Sequence, residues 1–70
     1  MDKFKVIIVE DVKLELKGTE EIFRNEIPQA QVIGTAMTES DFWSLMEKQE
    51  PDLVLLDLGL GGSTTVACFH

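Results

Sequence analysis

The sequence predicts an α/β fold, a single βαβαβ unit built on a parallel sheet. Two apolar runs, Val6-Ile7-Ile8-Val9 and Leu53-Val54-Leu55-Leu56, are continuous rather than alternating, the pattern of strands buried on both faces. Between them, apolar residues recur at spacings of three and four, the period of a helix with one buried face. Each apolar run closes on acidic residues, Glu10-Asp11 and Asp57. Parallel strands end on a common edge of the sheet, so these three carboxylates are expected to converge there.

The first strand is predicted over Phe4 to Val9, where β-branched residues dominate and no polar side chain follows Lys5. Asp11 is placed to cap the helix that follows, whose buried face is expected to carry Val12, Leu16, Thr19, Phe23 and Ile27, widened by Ile22. Gly18 weakens that helix by about 0.5–1 kcal/mol relative to alanine, a loss that packing can offset. Pro28 ends it and turns the chain into a short second strand, Gln31 to Ala36. Thr38-Glu39-Ser40-Asp41 has the form of a capping box ahead of Phe42, Leu45 and Met46, three apolar positions on one helical face. This second helix stops before Pro51, and Asp52 to Asp57 forms the third strand. Gly59-Leu60-Gly61-Gly62 then turns the chain toward the first turns of a further helix, with Ser63 as its cap. No repeat, linker or low-complexity tract interrupts the unit.

Seventy residues make one domain, and a chain of that size buries only about 60% of its unfolded surface, so a partner, a metal or self-association is expected to support it. The formal net charge of -7 argues against a nucleic-acid backbone as partner, because that contact needs clustered Lys and Arg. The lysines Lys3, Lys5, Lys13 and Lys17 merely flank the acidic pair. The single cysteine, Cys68, excludes an internal disulfide and accords with a reducing cytosol. No apolar run approaches the roughly 18 residues of a membrane span, and Met1-Asp2-Lys3 is not followed by a signal-type segment. A soluble, cytoplasmic protein is expected.

In the flavodoxin-like topology the strand order begins 2-1-3, and ligands sit beyond the carboxyl ends of the first and third strands. Glu10, Asp11 and Asp57 fall at that place. Two unit charges about 4 Å apart repel by roughly 4 kcal/mol at an effective dielectric of 20, so such a trio calls for a cation or a proton. The ligands are hard oxygens with no His or Cys nearby in sequence, which selects Mg²⁺ over zinc.

These residues resemble the receiver domain of two-component response regulators. The resemblance covers nearly all of this chain and roughly the first half of a receiver, and it rests on Glu10-Asp11 after one strand and on Pro51-Asp52-Leu53-Val54-Leu55-Leu56-Asp57-Leu58-Gly59-Leu60. It implies that Glu10 and Asp11 help to hold Mg²⁺, that Asp57 both ligates the metal and accepts a phosphoryl group from the phosphohistidine of a sensor histidine kinase, and that the Gly59 backbone carbonyl completes the protein ligands. Two departures stand out. Gly61 occupies a position where receivers usually have proline, and the chain stops before the fourth and fifth strands that carry a family hydroxyl residue and lysine.

Each feature also has a plainer reading. Glu10-Asp11 can be a helix cap with a solvated charge. Asp57 can start a loop by bonding its own backbone. The glycine-rich run lacks the Walker lysine and the third glycine of a dinucleotide fingerprint, so it reads as a turn. Trp43 lies off the apolar face of its helix and reads as a partly exposed aromatic, Cys68 as a small apolar residue, and His70 receives no role. Three functions follow. One is a truncated receiver with Asp57 as phosphoacceptor; the second is a non-catalytic module, self-associating or kinase-binding and not phosphorylated. The third, a haloacid-dehalogenase-type phosphatase, needs a second aspartate two residues after the first, and Gly59 stands there; no enzyme activity is therefore expected. Truncation is expected to leave the third-strand edge bare and to complete the sheet by a homodimer pairing Asp52 to Asp57 with its copy.

Overall fold

The computed structural model describes residues 3–57 and 64–68, and side chains for residues 3–56. Strand β1 (Phe4–Glu10) leads into helix α1 (Lys13–Glu26), strand β2 (Ala30–Ala36), helix α2 (Glu39–Lys48) and strand β3 (Leu53–Asp57). A further strand, β4 (Thr64–Cys68), follows. The sheet order is β2-β1-β3-β4, in which β1 is parallel to both of its neighbours and β4 is antiparallel to β3. The α/β class and the 2-1-3 parallel core therefore stand as expected.

Alternation along β1 divides the core between two faces. Val6 and Ile8 pack with Leu16 and Ala30 on one side, joined by Phe23 and Ile27 of the α1 region. Ile7 and Val9 pack with Ala36 and Val54 on the other, joined by Phe42, Leu45 and Met46 of α2. Successive side chains of a strand point to opposite faces, so the two helices cover opposite faces of the sheet. Val6, Ile7 and Ile8 are fully buried, as the unbroken apolar run requires.

The α2 cap forms as its sequence predicts: the Thr38 side chain accepts a hydrogen bond from the Asp41 backbone N–H at 3.1 Å. Gly34 in β2 gives Leu45 of α2 its room, because a Cβ there would come within 2.9 Å of Leu45 Cδ2. One register irregularity, between Val6 and Ile7, lets Ile33 stand out of the β1–β2 ladder.

Four expectations need correction. The segment after Gly62 is the strand β4, not the start of a third helix. Thr64-Thr65-Val66 is β-branched throughout, which costs χ1 freedom in a helix and suits a strand. That strand occupies the outer edge of β3, pairing Leu53 with Cys68 through to Asp57 with Thr64. The β3 edge is therefore not bare, and no copy of the chain is needed to pair it. Asp11 does not cap α1, whose N-cap is Val12 with no side-chain hydrogen bond. The buried face of α1 is narrower than expected: Val12 is 43% exposed and lies outside it, and Ile22 does not widen it, being 57% exposed. Ile22 lies four positions from Gly18 and six from Leu16, about 120° around the helix from that buried residue, so the helix turns it to solvent. Ser63 as a helix cap, Gly59, Gly61 and His70 lie outside the described residues.

Candidate functional site

Asp52 is clamped to Lys5 at the start of the ladder that leads to this site. Its backbone N–H donates to the Lys5 carbonyl at 2.8 Å, and its Oδ2 accepts from the Lys5 N–H, also at 2.8 Å. From that clamp the parallel ladder runs Val6 to Leu53, Ile7 to Val54, Ile8 to Leu55 and Val9 to Leu56, and it ends on Glu10 opposite Asp57. Neighbouring strands lie about 4.8 Å apart, so two acidic residues stand side by side at the carboxyl ends of the two central strands.

Glu10 is fully buried at that edge. Its Oε1 accepts a hydrogen bond from the Val12 backbone N–H at 3.1 Å. The carboxylate thus takes the role that the sequence suggests for Asp11: it occupies one free amide at the start of α1, where the positive end of the helix favours negative charge. Asp11 itself is exposed just beyond the strand end. Of Asp57 the backbone position is described, as the register partner of both Glu10 and Thr64.

The structure therefore brings Glu10 and Asp57 together and sets Asp11 next to Glu10 in the chain. Gly59 falls outside the described residues. Among the described residues, no three His, Cys, Asp or Glu side chains gather into a metal cluster. The donor chemistry of Glu10, Asp11 and Asp57 is oxygen only, which fits a hard cation such as Mg²⁺ and not zinc. Thr64 is the residue that sequence reasoning missed. Its segment reads as a helix start, and only the antiparallel pairing of β4 puts a hydroxyl-bearing residue across from Asp57.

On the α2 side of this edge lies a cleft of about 250 Å³ lined by Met37, Thr38, Glu39, Phe42, Trp43 and Leu56. Trp43 is 55% exposed, as expected of an aromatic off the buried face. It is nevertheless held in place: its Nε1 donates to Glu39 Oε1 at 3.2 Å, and its ring lies 4.9 Å from that of Phe42. A larger depression lies on the outer face of α1, away from the strand ends. No described helix is long and apolar enough to cross a membrane.

No family model matches this chain, and no curated protein or solved structure matches it. What the site can do rests on its own residues.

Proposed function

We propose that this chain is a partial receiver of flavodoxin-like topology, with Asp57 as its phosphoacceptor and Glu10, Asp11, Asp57 and the Gly59 carbonyl as the ligands that would hold Mg²⁺. The observation that carries the reading is the register match of Glu10 and Asp57 at the carboxyl ends of adjacent parallel strands. In an open α/β sheet that is where ligands bind.

In this reading an Asp57 carboxylate oxygen attacks the phosphorus of a phosphohistidine on a sensor kinase. The P–N bond breaks, the imidazole leaves with the bonding electrons and takes up a proton, and an acyl phosphate forms on Asp57. Mg²⁺, when bound, supplies neutralising charge for the phosphoryl oxygens. Glu10 keeps the strand end and the start of α1 in fixed relation through Val12.

Incubation with acetyl phosphate, followed by intact-mass and peptide analysis, tests this. A phosphoryl adduct on Asp57 that needs Mg²⁺ and is lost in Asp57→Asn is the expected result. An adduct on another residue, or one indifferent to Mg²⁺, refutes it.

A second reading, a kinase-binding module that is not phosphorylated, draws support from β4. The strand beside Asp57 runs antiparallel and sets threonine, not lysine, opposite the acceptor. One missing donor can cost about 2.7–4 kcal/mol in a transition state, enough to make transfer very slow. Kinase binding by Asp57→Asn at wild-type affinity, with no adduct on the wild-type chain, would select this second reading.

A further inference from the structure

The outer face of α1 has no role in the site described above, yet it carries the two most exposed large apolar side chains among the described residues. Leu14 is 81% exposed and Ile22 is 57% exposed. They lie four residues to either side of Gly18, so all three share one stripe of the helix, turned away from the Leu16 and Phe23 side that packs on the sheet. A Cβ built on Gly18 meets nothing within 4 Å. The open space above it belongs to a depression of about 420 Å³, lined by Leu14, Lys17, Gly18, Glu20, Glu21 and Arg24.

We propose that this stripe docks a second copy of the chain, the two α1 helices lying antiparallel across a two-fold axis beside Gly18. A two-fold contact must be self-complementary: if one residue meets another, the reverse pair forms as well. About Gly18 the stripe satisfies that condition. Leu14 of one copy meets Ile22 of the other, twice over, and the missing Cβ lets the helix axes approach toward the short end of the usual 8–10 Å range.

The charges fit the same arrangement. Lys17 and Glu21 occupy one flank of the stripe, and in an antiparallel pair like flanks meet, which sets Lys17 against Glu21 of the second copy and Glu21 against its Lys17. Arg24 is already engaged within its own helix by Glu20 at 3.2 Å. A chain of net charge -7 resists self-association in general. Helix α1 carries three basic and four acidic residues, and the other flank of the stripe holds Glu15 and Glu26, so the two Lys17–Glu21 pairs are set against like-charge repulsion there. One helix pair buries less than the roughly 800 Å² per partner of a standard interface, so the dimer is weak and its population rises with concentration.

Sedimentation equilibrium over a wide concentration range, with circular dichroism as a check on folding, tests the proposal by charge exchange. Lys17→Glu alone and Glu21→Lys alone should each weaken association about tenfold, since each turns two attractive pairs into repulsive ones. The double variant Lys17→Glu/Glu21→Lys should restore it, and Leu14→Glu should abolish it while leaving the fold intact. A wild-type chain that stays monomeric at the highest concentrations, a double variant as weak as its parents, or a dimer unaffected by Leu14→Glu would each overturn the proposal.

Discussion

Lys5 and Asp52 are joined by two hydrogen bonds, backbone to backbone and backbone to carboxylate, at the amino ends of adjacent parallel strands. Five residues further along each strand, the same register sets Glu10 against Asp57. One fixed point of the candidate site's alignment thus lies at the opposite edge of the sheet. In a parallel ladder a slip of one residue would exchange the faces of every side chain in β3.

Asp52→Ala should accordingly destabilise the chain by about 1 kcal/mol, the usual net value of such a bond. A lower urea midpoint at unchanged slope is the expected signature. Stability equal to wild type would mean that β3 is registered by its apolar contacts alone.

Gly34→Ala should be costly, because its new methyl group would sit 2.9 Å from Leu45 Cδ2 in a packed part of the core. Overpacking of this kind costs about 1–3 kcal/mol. Leu45→Ala is destabilising by itself, but in the Gly34→Ala background its cost should shrink. The coupling is read from a double-mutant cycle of urea midpoints, and strict additivity would contradict the close approach.

Gly18→Ala should act in the opposite direction. Its Cβ enters open space, and alanine gains about 0.5–1 kcal/mol over glycine inside a helix. Thermal unfolding of dilute protein should shift upward by a few degrees for a domain of this size. A downward shift would show that something already covers this part of α1.

Glu10→Gln separates the charge of Glu10 from its hydrogen bond, since the amide oxygen can still accept from the Val12 N–H. With chelator present, the variant should still fold, since the Val12 hydrogen bond is kept while the charge that the start of α1 favours is lost. Added Mg²⁺ should stabilise wild type and have little effect on Glu10→Gln. Equal Mg²⁺ responses would exclude Glu10 from the cation site.

Trp43 is the sole tryptophan, and it lines the cleft that also contains Leu56, the neighbour of Asp57. Its fluorescence should report Mg²⁺ binding, with a response reduced in Asp11→Ala and in Asp57→Ala. A titration identical in the double variant and in wild type would remove the metal from the proposal.

The sequence by itself determined the elements whose pattern is local. Short unbroken Val, Ile and Leu runs, each closed by acidic residues, suit strands buried on both faces, so β1, β3 and the core they build are legible in the order of residues. The α2 cap is legible too, because Thr38 and Asp41 lie three residues apart and need nothing else. Only the tertiary structure decided which edge of β3 is paired, and by what. Thr64-Thr65-Val66 has the β-branched composition of a strand, but its pairing partner lies in another element, so its place beside β3 is not written in its own residues. The same holds for Glu10 and Asp11, both candidate metal ligands in sequence, with Asp11 the expected helix cap. Glu10 is the last residue of β1 and is buried against the helix start, whereas Asp11 lies one residue beyond the sheet and stays in solvent. Burial and long-range pairing depend on the whole assembled chain, whereas strand and cap patterns depend only on near neighbours.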